Sequence, residues 1–260
     1  MKRFTGKSVI ITGGGSGLGR AAALQIAKEE GRLALVDVDE AGLADSEKAI
    51  REAAPDAEVL LLTANVADEA QVAKYVDDTV KRFGSIDGFF NNAGIEGKQN
   101  PTEEFGSDEF AKVLAVDLNG VFYGLKHVLK VMRKQGSGSV VNTTSVGGIR
   151  ALGNQSGYAA AKHGVVGLTR NSAIEYGQYG IQVNAIAPGP IMTPMVEGSL
   201  RQMNPDDWEA AGAEVMRPNP MQRFGTTEEL GHLVAFLLSG DSRYVNGQVI
   251  AIDGGQSSKY

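Results

Sequence analysis

Short apolar, β-branched runs alternate along the chain with longer amphipathic stretches. The short runs predict strands at residues 8–12, 33–37, 58–63, 86–90, 139–143, 182–187 and 249–252. The longer stretches predict helices after Leu18 and after Glu40, over 68–83, 107–134 and 156–179, and from the cap at Thr226-Thr227-Glu228-Glu229. Strands alternating with helices imply an α/β fold, with a parallel sheet covered on both faces. Val9-Ile10-Ile11 is apolar on consecutive residues, as a central strand buried on both faces requires. No repeat of roughly 20–50 residues and no low-complexity linker is present, so residues 1–260 read as one domain.

Residues 188–221 break the alternation. They hold Pro188, Pro190, Pro194, Pro205, Pro218 and Pro220, five methionines and the only tryptophan, Trp208. A long irregular excursion in a compact domain is usually a functional lid or a disordered insertion. Its many apolar side chains favour an ordered, partly helical flap at about 190–222.

Composition narrows the chemistry. The absence of cysteine excludes disulfide scaffolds, thiolate metal sites and cysteine nucleophiles. A net charge of −6 argues against a broad nucleic-acid surface. No run approaches the ~20 apolar residues of a membrane span, and the chain reads as cytoplasmic. His127, His163 and His232 have no metal-ligand spacing, so no metal is expected. Glycine supplies 34 of 260 residues, about 13% against a usual ~7%, so backbone must approach something closely at several places.

One such place follows the first strand, at Thr12-Gly13-Gly14-Gly15-Ser16-Gly17-Leu18-Gly19. A turn from a parallel strand into a helix presents free N–H groups and the positive end of the helix dipole to a phosphate. A Cβ there would block the pyrophosphate or the helix–strand contact. Gly13, Ser16, Gly17, Leu18 and Gly19 are therefore candidate dinucleotide contacts. Asp37 ends the second predicted strand, 18 residues beyond Gly19, where a carboxylate can accept from ribose hydroxyls and repel a 2′-phosphate. NAD is favoured over NADP.

The glycine turn, Asn91-Asn92-Ala93-Gly94, Asn119, Ser145, Tyr158-x-x-x-Lys162 and Pro188-Gly189 together resemble the short-chain dehydrogenase/reductase family, over essentially the whole chain. The stretches 94–101 and 146–150 are similar to members acting on substituted cyclohexanediones. The resemblance implies a Rossmann-like, doubly wound sheet of about seven strands, a nicotinamide dinucleotide and a homotetramer. It also implies that Lys162 holds the nicotinamide ribose and that Asn119 holds a water linking Lys162 to solvent. By the same resemblance Asn65 and Val66 lie beside adenine, and Asn92, Ala93 and Gly94 form the strand end at the cofactor. Pro188, Gly189, Ile191 and Thr193 would contact the carboxamide.

The residues support the chemistry independently. Tyr158 and Lys162 are i and i+4 and share a helix face. A free tyrosine, with a pKa of ~10, is ionised in only about one molecule in 1,000 at pH 7. An ammonium one turn away and an oxidised nicotinamide cation would stabilise the phenolate. Tyr158 then serves as general base for alcohol oxidation or general acid for carbonyl reduction. Ser145, just after the fifth strand, would hydrogen-bond the substrate oxygen.

Adjacency makes Ile95, Glu96, Val146, Ile149, Leu152 and Trp208 candidate substrate contacts, and the methionine-rich flap suits a compact apolar alcohol or ketone. Competing readings are a 3-oxoacyl-[acyl-carrier-protein] reductase, a sugar or polyol dehydrogenase and, in a different class, a non-catalytic dinucleotide-binding regulator. Ala159, Ala160, Ala161, Gly164 and Gly167 would allow close helix–helix contact between subunits, or close packing on the chain's own sheet.

Overall fold

A computed structural model describes residues 2–258. The strands are β1 (Ser8–Thr12), β2 (Arg32–Asp37), β3 (Val59–Thr63), β4 (Gly88–Asn91), β5 (Gly138–Thr143), β6 (Ile181–Pro188) and β7 (Val249–Ile252). They form one parallel sheet in the order β3-β2-β1-β4-β5-β6-β7. The helices are α1 (Gly17–Lys28), α2 (Glu40–Ala53), α3 (Glu69–Phe83), α4 (Ser107–Leu114), α5 (Gly120–Gln135), α6 (Ser156–Tyr176), α7 (Pro194–Met203), α8 (Trp208–Met216) and α9 (Thr227–Leu238).

The consecutive apolar residues of β1 serve two layers. Val9 and Ile11 join a core with Ala22, Ile26, Leu230 and Val234 of α1 and α9. Ile10 points the other way, into a core with Val72, Val76, Val121 and Leu125 of α3 and α5. All three strand residues are fully buried, and burial of such a side chain is worth about 1.5–3 kcal/mol.

Local signals end the helices. The Asp68 carboxylate accepts from the Ala70 and Gln71 amides at the start of α3, which closes on Gly84 at φ 82°. At α9, Thr226 and Glu229 form a reciprocal capping box. Pro194 opens α7, and the Thr193 hydroxyl accepts from the Val196 amide.

Two of the departures from the expected boundaries have a visible cause. The single helix expected over 107–134 is divided by a π-helical turn, Ala115–Asn119, that turns Asp117 inward. Close packing there demands Gly120, whose Cβ would lie 2.9 Å from Val66 Cγ2. The strand expected at 86–90 begins only at Gly88, because the Ile86 amide donates to the Gln135 side chain instead of to a neighbouring strand.

Candidate active site

Strand order reverses beside β1, where β2 continues on one side and β4 on the other. A crevice outside the carboxyl ends of strands at such a point is the expected ligand position in an open parallel sheet. A cleft of about 1000 Å³ opens there, between the strand ends and the flap.

At one end the cleft is lined by Gly13, Ser16, Gly17 and Leu18. Ser16 precedes α1 without capping it through its side chain, so the first amides of the helix lack that partner. Gly13 has φ 68°, and a Cβ on it would lie 2.8 Å from Asn92 Nδ2. Gly19 does not line the cleft. A Cβ there would lie 2.0 Å from the Gly13 carbonyl oxygen, so this glycine closes the turn from behind. The cradle thus fits a pyrophosphate by both its bare backbone and its helix end.

Asp37 lines the same end, with Oδ2 accepting from the Gly15 amide at 2.9 Å and Oδ1 from the Asp39 amide at 3.1 Å. A Cβ on Gly15 would lie 2.9 Å from that carboxylate, so the bare backbone lets the two approach closely. Asn65 and Val66 form the adjoining wall. The Asn65 side chain turns back to accept from the Ala67 amide at 2.9 Å.

In the middle, Asn92, Ala93 and Gly94 line the cleft. Asn92 also braces the sheet: Nδ2 donates to the Thr12 carbonyl at 3.0 Å, and Oδ1 accepts from the Thr143 hydroxyl at 3.2 Å. Pro188, Gly189, Ile191 and Thr193 line the opposite side.

The reactive end gathers Ser145, Tyr158 and Lys162 from the end of β5 and from α6. The Ser145 hydroxyl accepts from the Gly147 amide at 3.1 Å, and its presence beside Tyr158 favours the ionised phenol. Lys162 Nζ lies 5.4 Å from the Tyr158 ring centroid. Buried to 3% exposure, this ammonium donates to the Thr143 carbonyl at 3.2 Å and pairs with Asp117 Oδ2 at 3.0 Å. Asp117 is fully buried, and its Oδ1 accepts from the Ile95 amide at 2.8 Å.

Asn119, expected beside Lys162, is instead exposed and lies outside the cleft lining. The inward position in the π-helical turn belongs to Asp117. The sequence carries a signal for it, since Val113, Asp117, Val121 and Leu125 recur at i+4 and all four are buried. A carboxylate on an apolar stripe implies a buried partner.

Lys162 pulls the Tyr158 phenol down, as expected, but desolvation outweighs it and pushes the phenol above its ordinary value, with Asp117 adding to the rise. The chain alone therefore leaves Tyr158 protonated. Burial tends to strip Lys162 of its proton, and Asp117 together with Tyr158 more than restores it. Burial likewise lifts the Asp117 carboxyl, against the pull of Lys162 and the Ile95 amide.

Ile95, Glu96, Val146 and Leu152 line the substrate end, whereas Ile149 and Trp208 do not. Trp208, the first residue of α8, lies against the Arg201 guanidinium at 5.2 Å; Val215 from the same helix faces the cleft instead. Ile149 closes the short turn after Ser145 through its amide, which donates to the Val146 carbonyl at 3.1 Å.

Met195 and Met203 from α7 are the flap methionines that line the cleft, while Gln155, beside Tyr158, escaped the sequence reading. Glu96 Oε1 accepts from the Ser199 hydroxyl at 2.7 Å and from Gln155 Nε2, tying the flap to the start of α6. Burial pushes its carboxyl up. Of the histidines, His127 lies 3.1 Å from Glu69, and His163 Nδ1 lies 2.9 Å from the Ala159 carbonyl oxygen.

Residues 13–257 match the family described as Enoyl-(Acyl carrier protein) reductase. The chain is 63% identical to levodione reductase from Leifsonia aquatica over 258 residues, covering 99% of this chain and 97% of the relative. It is 36% identical to cyclohexanol dehydrogenase from Acinetobacter sp. (strain SE19), covering 99% and 97%. A crystal structure of levodione reductase superposes with a TM-score of 0.99, covering 99% of this chain and 100% of that one. NAD+-bound xylitol dehydrogenase, 34% identical, superposes with a TM-score of 0.94, covering 98% and 100%.

Proposed function

Because the chain belongs to the short-chain dehydrogenase/reductase family and is an alcohol/ketone oxidoreductase, we propose that it uses NAD to interconvert a compact cyclic secondary alcohol and its ketone, such as a cyclohexanedione, through Tyr158. The observation that carries this is the convergence of Ser145, Tyr158 and Lys162 on one end of a cleft whose other end is a glycine cradle closed by Asp37.

In this reading Gly13, Ser16, Gly17 and Leu18 cradle the pyrophosphate. Asp37 takes the adenosine ribose, and Asn65 and Val66 flank adenine. Pro188, Gly189, Ile191 and Thr193 hold the carboxamide. Lys162 donates to the Thr143 carbonyl and pairs with Asp117 through charge, which leaves N–H groups for the nicotinamide ribose. A bound dinucleotide would supply the two-electron acceptor or donor and, in its oxidised form, a positive charge that favours the phenolate.

Ser145 orients the substrate oxygen, and Tyr158 gives it a proton in reduction or takes one in oxidation. Ile95, Val146, Leu152, Met195 and Met203 offer an apolar wall, which supports a small ring over an acyl carrier or a sugar. The similarity to xylitol dehydrogenase favours a polyol as the second reading.

Residues 1–260 then act as one dinucleotide-binding domain, with 190–222 as its substrate flap. A cytoplasmic homotetramer completes the reading. It is supported by Ala160, Gly167 and Ile174, all exposed on α6, while Ala161 is buried and Gly164 packs on Leu118 within the chain. Light scattering after gel filtration tests that state.

The test of function is a panel following NADH and NADPH against cyclic diones, cyclohexanols, polyols and acyl thioesters. Cyclic carbonyls with NADH should give the highest kcat/KM, and Tyr158→Phe should lose about 10²–10⁴-fold in kcat. No turnover with any carbonyl, or an undiminished Tyr158→Phe rate, would overturn the reading.

A further inference from the structure

The Tyr158–Lys162 pair rests on a third ionisable group that the proposed proton transfer does not itself use. Asp117 is fully buried, and its two oxygens are divided between Lys162 Nζ at 3.0 Å and the Ile95 amide at 2.8 Å. Its place is built from both sides. The π-helical turn at Ala115–Asn119 carries it inward, and Gly94 lets it approach, since a Cβ there would lie 2.9 Å from Asp117 Oδ2. Gly94 thus makes room for the carboxylate as well as bordering the cleft.

A lone ammonium at 3% exposure sheds its charge readily, because low polarity disfavours the ionised form. The Thr143 carbonyl at 3.2 Å offers only a dipole. The other titratable groups facing this corner are Tyr158, on the same helix, and Glu96. Lys112 lines the cleft as a second cation and cannot hold a proton on Lys162. His163 is exposed and turned to the Ala159 carbonyl.

We propose that Asp117 is a positioning residue that keeps Lys162 protonated, with N–H groups free for the cleft, across the pH range in which Tyr158 exchanges its proton. The proposal rests on the alcohol/ketone reading above, but its primary readout is independent of turnover. Without Asp117, Lys162 would become a neutral amine in the alkaline range and its support of the Tyr158 phenolate would vanish.

Competitive labelling of the cofactor-free protein with acetic anhydride reads this directly, because only the neutral amine reacts. Labelling from pH 6 to 10, with the Lys162 peptide quantified by mass spectrometry, compares wild type with Asp117→Asn and Asp117→Ala. The titration of Lys162 should fall by about 1–2 pH units in both variants, as expected for loss of an adjacent opposite charge. Alcohol oxidation by the variants should acquire a descending alkaline limb at the same pH.

A Lys162 titration unchanged in variants that remain folded would overturn the inference, and so would a uniform activity loss with no new limb. Failure of both variants to fold would make Asp117 a purely structural residue and also overturn it. Labelling that shifts as expected in an enzyme inert toward every carbonyl would instead refute the functional reading and leave this one standing.

Discussion

Replacing Lys162 by Met tests the energetics of the buried pair. Methionine keeps most of the stem volume, so the change removes charge with little cavity. Asp117 would then be a fully buried carboxylate holding only the Ile95 amide. Removing one partner of such a pair costs about 3–5 kcal/mol, because the survivor is left charged and unpaired. At roughly 2–4 °C per kcal/mol for a chain of this size, Tm should fall by roughly 6–20 °C. The loss should depend on pH with a defined sign. Asp117 already has a folded-state value above its unfolded one, and losing Lys162 raises it further. Its stability contribution is then fully present below the unfolded value and lost as pH rises through the folded one. Lys162→Met should accordingly be closer to wild type at pH 5 than at pH 8. The double variant Lys162→Met/Asp117→Asn removes the orphaned charge and should recover at least half of the deficit. Differential scanning calorimetry across pH gives all four corners of the cycle. A single-variant loss below about 1 kcal/mol, or a double variant no more stable than the single, would refute the reasoning, since a buried unpaired charge must cost more than that.

Gly19→Ala should abolish dinucleotide binding in a fluorescence titration, since its Cβ would lie 2.0 Å from a backbone oxygen that has no rotamer with which to yield. Asp37→Ala removes the carboxylate that meets the ribose end, and the ratio of NAD to NADP kcat/KM should fall by at least about tenfold, or ~1.4 kcal/mol. The Arg223 guanidinium and the Thr226 amide hold Glu229 down to about 2 from an ordinary 4.5, so its contribution to stability is present above pH 4.5 and lost as pH falls toward 2. Glu229→Gln should flatten that acid limb in a urea-unfolding series.

The alternation of strands and helices and the approximate positions of the seven strands were legible because a fully buried parallel strand must be apolar on both faces, as Val9, Ile10 and Ile11 are. The helix caps at Asp68 and Thr226 were legible because they satisfy orphan amides within their own turn. The π-helical turn was not. Its sequence suits an ordinary helix, and what widens it is a set of partners remote in the chain: Val66 against Gly120, and Lys162 with the Ile95 amide on Asp117.

The chain alone determined the α/β architecture, the glycine turn, the acidic end of β2 and the i, i+4 pairing of Tyr158 with Lys162, because each is a matter of periodicity or of neighbours within one turn. The tertiary structure decided what faces Lys162, which part of the flap faces the cleft and which way the acidity of Tyr158 leans. Those depend on charges brought together from segments far apart in sequence. A Coulomb interaction follows distance through space and the polarity between the groups, neither of which the order of residues specifies.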